Sequence, residues 1–164
     1  MQPEASYIWN WSKMGNIIIL FFISVPEIAG CMVEAAVMMM RLCGRLFAEA
    51  DKYLGMPYVW GGSSPETSFD CSGFVSYVFT NSGVCNMGRL TAQGIYDICM
   101  PVSPEEARPG DIIFFTGTYD AGEPVTHVGI YAGDGQMIHC GNPIQYTSIN
   151  SAYWQSHFYA FGRP

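Results

Sequence analysis

A helix that begins on a cysteine constrains this chain more than any other stretch. In Phe69-Asp70-Cys71-Ser72-Gly73-Phe74-Val75-Ser76-Tyr77-Val78-Phe79 the apolar residues 74, 75, 78 and 79 recur at helical spacing. Cys71 therefore falls in the first turn of a helix that enters the core. The first turn carries partial positive charge and free N–H groups, which favour a thiolate and can hold a developing oxyanion. Cys71 is thus a candidate nucleophile. Upstream lies Tyr58-Val59-Trp60-Gly61-Gly62, separated from the cysteine helix by the polar, proline-containing stretch 63–68, read as a loop.

A cysteine nucleophile needs a base. Two of the three histidines lie in Thr126-His127-Val128-Gly129-Ile130-Tyr131-Ala132-Gly133-Asp134-Gly135-Gln136-Met137-Ile138-His139-Cys140. This stretch predicts a β-hairpin, with strands over 126–132 and 136–140 around a turn at 133–135. Pairing equidistant from Asp134 sets 130 opposite 138 and 129 opposite 139. His127 then lies diagonally across from His139 on one sheet face, because 127 and 129 share parity. One imidazole can take the proton from Cys71 while the other orients it. The same alternation turns Cys140 to the opposite face, into the core.

Four segments, Pro57–Gly62, Asp70–Val75, Arg108–Phe115 and His127–Tyr131 with Met137–His139, resemble in order and spacing the NlpC/P60 family. Its members are papain-like cysteine peptidases that cut peptidoglycan stem peptides. The resemblance runs from about residue 45 onward. It implies Cys71 as nucleophile, His127 as base and His139 as the third, orienting residue. It also implies that Tyr58 lies beside the nucleophile at the oxyanion site. Asp70 and Ser72 occupy positions that contact the amine end of the substrate in some members. Trp60 and the glycines after it, Gly61 first, are candidate cleft residues, with a core role for Trp60 as the alternative. The bond implied is a γ-D-glutamyl link to a diamino acid. A Cys/His acyltransferase and a non-catalytic peptidoglycan-binding module are the alternatives. The mechanism needs no metal and no cofactor.

With 164 residues the chain can bury a real core. The apolar fraction of 49% fits a globular protein. Lys plus Arg number 7 against 14 Asp plus Glu, a net charge of −7 that gives nucleic-acid binding little support. Six cysteines stand at 31, 43, 71, 85, 99 and 140 without CxxC or zinc-ligand spacing. Cys85 and Cys99 read as packing residues.

Further elements follow from local pattern. Residues 45–54 predict an amphipathic helix ended by Gly55 and Pro57. Residues 91–98 predict a short helix capped by Thr91. Ser103-Pro104-Glu105-Glu106 matches a capping box. A strand is expected over 111–115, then a loop over 116–125 that shapes the groove. A last strand is expected over 157–161, with His157 at its edge. Helices first and strands later suggest an α+β class. The resemblance implies the same: a papain-like fold in which the nucleophile helix packs on a central antiparallel sheet.

Residues 1–44 are set apart as an apolar N-terminal segment, and 45–164 as the peptidase domain. The apolar run 17–25 is too short for a helical membrane span, which takes about 20 residues. Preceded by Lys13, it reads as a signal-peptide core. Ile28-Ala29-Gly30-Cys31 resembles a lipobox, with Cys31 as the lipidated residue, although Pro26 and Glu27 interrupt the approach. The alternative is a linker to an upstream domain in a longer parent protein. Either way the expected setting is secreted or bound to the cell envelope. Met32 to Met40 reads as packing or interface filler.

Overall fold

The computed structural model describes the backbone from residue 26 and the side chains from residue 32, through residue 164. The apolar run 17–25 therefore lies outside the described residues. A long helix α1 (Pro26–Ala50) opens the described chain. The helix expected over 45–54 is the end of α1, followed by a single 3-10 turn over Asp51–Tyr53. No described helix is long and apolar enough to cross a membrane. The compact unit that carries the candidate site is Val37–Pro164.

Within that unit the elements are β1 (Ser63–Ser64), β2 (Ser68–Phe69), α2 (Cys71–Asn81), α3 (Ala92–Ile98), β3 (Met100–Val102), β4 (Ile112–Phe115), β5 (His127–Gly133), β6 (Gln136–Cys140), β7 (Ile144–Ser148), α4 (Ala152–His157) and β8 (Phe158–Arg163). Six strands form one antiparallel sheet in the order β3-β8-β4-β5-β6-β7. The α+β architecture is as expected.

The sheet has an apolar layer on each face, and β4 shows why. All four of its residues are fully buried. Ile112 and Phe114 join the core cluster under α2, whereas Ile113 and Phe115 join a second cluster with Met137, Ile149 and Phe161. Alternate side chains of one strand thus serve both layers. From α2, Phe74, Val75, Val78 and Phe79 are 0–1% exposed and fill the first layer. Each contributes roughly 1.5–3 kcal/mol by leaving water.

The β5–β6 register pairs Ile130 with Ile138 and Tyr131 with Met137, then shifts so that Gly133 faces Gln136. The hairpin is therefore bulged beside its turn. Asp134 (φ 48°) and Gly135 (φ 70°) are its two central residues, both left-handed as a two-residue hairpin turn requires.

Several local expectations change. The stretch 63–68 is a miniature hairpin of β1 and β2. Ser103–Glu106 yields only a 3-10 turn over Pro104–Glu106, with Ser103 Oγ bonded to Glu106 Oε2 at 3.2 Å in place of a backbone cap. Pro109 follows too closely for a longer helix. The last strand starts at Phe158, and His157 instead ends α4, where its Nδ1 lies 2.8 Å from the Tyr153 carbonyl. Trp60 is not core, being 71% exposed.

Candidate active site

Asp70 builds the start of α2. It is the N-cap, and its Oδ1 accepts from Gly73 N at 2.7 Å and Ser72 Oγ at 3.0 Å. Its Oδ2 accepts from Gly61 N at 3.1 Å and from Arg89 Nη2. The carboxylate thereby pins the 58–62 turn, the first turn of α2 and the 82–91 connection together. Gly73 permits the close approach. A Cβ there would stand 2.1 Å from the Gly62 carbonyl oxygen.

Cys71 is the first residue of α2 and only 5% exposed. It interacts electrostatically with Tyr58, Tyr119 and Cys140. All three line a cleft of about 500 Å³ that also includes His127, His139, Thr147 and Trp154. Burial pushes the Cys71 thiol up to about 11, and the Asp70 carboxylate adds to the rise. The backbone groups of Ser72, Val128 and Cys71 around the sulfur oppose the rise without cancelling it. The expectation that the helix start favours a thiolate is thus corrected for the resting site. Desolvation outweighs the helix terminus.

The hairpin brings the two histidines together. His127 Nε2 and His139 Nδ1 are 2.9 Å apart, with the rings edge to face. Gly129 leaves room beside His139. A Cβ there would lie 3.1 Å from both His139 Cβ and Met137 Sδ. His139 Nε2 then bonds Thr147 Oγ1 at 3.0 Å. The line therefore runs Thr147–His139–His127 and leaves His127 Nδ1 outside it. Burial pushes His127 down to about 3, with His139 adding, and burial pushes His139 down to about 4. At neutral pH both rings are neutral, so one can accept a proton. Trp154 of α4 stacks on His127 with centroids 5.4 Å apart and meets His139 edge-on at 5.2 Å. Its indole screens the pair from water.

The remaining candidates sort clearly. Tyr58 lines the cleft, and burial with the nearby Cys71 keeps its phenol protonated, hence a donor. Trp60 pairs edge to face with Tyr119 at 5.3 Å, at the exposed rim. The Gly61 N–H, Asp70 and Ser72 are engaged in the network around Asp70. Cys140 is buried in the first core layer as expected, its Sγ donating to the Phe69 carbonyl at 3.2 Å, and it also lines the cleft. Cys43, Cys71, Cys85, Cys99 and Cys140 are free thiols. No cluster of three or more His, Cys, Asp or Glu suited to a metal occurs among the described residues.

Sequence reasoning missed Thr147, Trp154 and Arg89. Thr147 and Trp154 sit on β7 and α4, which carried no clear signal beyond the Ser151 cap, whose side chain accepts from Trp154 N. Arg89 lies in an irregular connection and reaches its partner across 19 residues.

The model of the NlpC/P60 family matches residues 55–163. The bifunctional muramidase/DL-endopeptidase CwlT of Bacillus subtilis (strain 168) is 48% identical over 116 residues, 70% of this chain and 34% of that protein. The probable endopeptidase p60 of Listeria seeligeri is 46% identical over 119 residues, 72% of this chain and 21% of that protein. The chain thus spans about a third or less of these relatives. A crystal structure from Staphylococcus aureus subsp. aureus Mu50, described as similar to lipoprotein, NLP/P60 family, superposes with a TM-score of 0.72 at 46% identity. It covers 74% of this chain and 41% of that one.

Proposed function

The chain belongs to the NlpC/P60 family, and from that membership we propose that it hydrolyses an amide bond of peptidoglycan stem peptides by a Cys71/His127/His139 thiol mechanism. The bond is that between the γ-carboxyl of D-glutamate and a diamino acid. The observation that carries the reading is the 2.9 Å His127–His139 contact, made on the hairpin that packs against α2, whose first residue is Cys71.

In the resting site both the thiol and the imidazole are neutral. His127 Nδ1 takes the Cys71 proton as Sγ attacks the carbonyl carbon, so charge separates only as the tetrahedral intermediate forms. The imidazolium is held by His139, itself anchored on Thr147. The oxyanion meets the N–H groups at the start of α2, with the Tyr58 hydroxyl as a further donor. His127 returns its proton to the leaving amine and a thioester remains. Water, deprotonated by His127, then releases the acid and the thiol. The 45–164 region acts as the peptidase domain in a secreted or envelope-bound setting. The N-terminal segment supplies export, anchoring at Cys31, or a link to further domains.

Digestion of purified peptidoglycan by the wild type and by Cys71→Ala, read by mass spectrometry, tests the reading. Fragments split between D-glutamate and the diamino acid should arise with wild type alone, while Cys71→Ala keeps the wild-type Tm. Intact stem peptides in both digests would overturn it.

A further inference from the structure

Strand alternation gives the adjacent residues His139 and Cys140 opposite duties. His139 meets His127. Cys140 enters the core layer under α2, together with Cys71 and Val128. The proposed reaction uses the imidazole and leaves the thiol without a role. Yet Cys140 lines the same cleft as His127 and His139.

Two backbone stretches bring the Cys140 sulfur towards Cys71. The first is the entry to α2. Cys140 Sγ donates to the Phe69 carbonyl at 3.2 Å, and Phe69 ends β2 just before the N-cap Asp70 and Cys71. The second is β5. Ile130 pairs with Ile138, and the same register carried towards the start of β5 sets Val128 opposite Cys140. The Val128 backbone is one of the groups around the Cys71 sulfur. β6 itself packs against α2. The two side chains accordingly feel one another's charge. Both are free thiols. Cys43, Cys85 and Cys99 are free as well, but none of them lines the cleft.

Resting on the reading of Cys71 as the nucleophile, we propose that Cys140 is its resolving thiol. On exposure to a peroxide the two join in a reversible disulfide, which switches the site off and shields Cys71 from irreversible oxidation. Hydrogen peroxide oxidises the Cys71 thiol to a sulfenic acid, and the broken O–O bond releases one water. The Cys140 sulfur then attacks the sulfenic sulfur. The S–S bond forms, the S–O bond breaks, and the departing hydroxide takes the Cys140 proton as a second water. The two thiols lose two electrons and the peroxide gains them. Full burial of Cys140 suits this order of events. Only Cys71 has to meet the oxidant, a small molecule that enters by the cleft, and Cys140 acts from the core side.

The test treats wild type, Cys140→Ala and Cys140→Ser with hydrogen peroxide at about pH 8.5, where more of the reactive thiolate is present, and then with dithiothreitol. Peptidoglycan hydrolysis is read relative to each protein's own untreated rate. Peptide fragment spectra locate every modified sulfur and separate a link at Cys71 from one at Cys85. Wild type should lose activity, become about 2 Da lighter through a Cys71–Cys140 link, and recover most of its rate in reductant. Both variants should lose activity without recovery, with Cys71 carrying two added oxygens as the sulfinic acid. If either variant fails to fold, the wild-type map alone decides the link. Sulfinic Cys71 in wild type as readily as in the variants, or a link that joins other cysteines, overturns the proposal while the hydrolase reading stands. A wild type that hydrolyses nothing before treatment overturns the hydrolase reading, and the map still decides whether the two sulfurs join.

Discussion

The residues proposed to react are buried, and burial sets their chemistry. With Cys71 pushed up to about 11 and His127 down to about 3, neither is charged at neutral pH. The thiolate fraction then rises about tenfold per pH unit below the thiol's own value. Alkylation of Cys71 by iodoacetamide, followed by peptide mass spectrometry, should climb steadily from pH 7 to pH 9. A rate already flat by pH 7 would mean a preformed thiolate–imidazolium pair. A second expectation concerns Thr147, whose hydroxyl holds His139 Nε2. Thr147→Val removes that hydrogen bond at nearly constant shape. Loss of roughly 0.5–1.5 kcal/mol of orienting interaction corresponds to a fall in kcat of about 2- to 13-fold. KM should stay near its original value, and steady-state kinetics on a synthetic stem peptide reads both.

At the scale of elements, the site is a junction of the 58–62 turn, the start of α2 and the β5–β6 hairpin. The turn reaches α2 through the Gly62 carbonyl, and Gly73 lets it come that close. Gly73→Ala would set a Cβ 2.1 Å from that oxygen and 3.2 Å from Asp70 Oδ1. The obstacle is backbone and cannot rotate away. Overpacking of this kind costs roughly 1–3 kcal/mol. The expected result is a lower Tm together with a loss of activity larger than the unfolded fraction explains, checked by calorimetry and kinetics on one sample. An unchanged Tm would mean that the turn moves aside freely.

At the scale of the whole molecule, an ion pair whose residues do not line the cleft ties two strands of the sheet together. Asp111 is 2% exposed and receives Arg163 Nε at 2.7 Å and Nη2 at 2.8 Å, which ties β8 to the start of β4. Removing the cation leaves a buried carboxylate held, among the described residues, only by the Arg108 N–H at 2.8 Å. Arg163→Met should therefore lower the stability of the Val37–Pro164 unit by roughly 2–3 kcal/mol. That is below the full cost of breaking a buried pair, because the Arg163 side chain is 30% exposed. Denaturant unfolding measures this, and kcat/KM of the folded protein should change little. A large catalytic effect would mean that the sheet edge and the cleft are coupled.

What could be read without coordinates was whatever depends on local order along the chain. The 3.6-residue recurrence at 74, 75, 78 and 79 and the strand alternation around Asp134 are properties of near neighbours. They set Cys71 at a helix start and His127 beside His139 before any packing was known. Thr91 as a cap and Cys140 as core were legible for the same reason. Tertiary structure decided the rest. Arg89 reaches Asp70 only because the chain folds back, and Trp154 covers the histidines only because α4 follows β7 across the sheet. The protonation state of Cys71 depends on how much water the assembled core removes, and a helix-start motif carries no measure of that. Short elements such as β1, β3 and α4 have too few residues for a period to show, and they form because longer neighbours hold them in place.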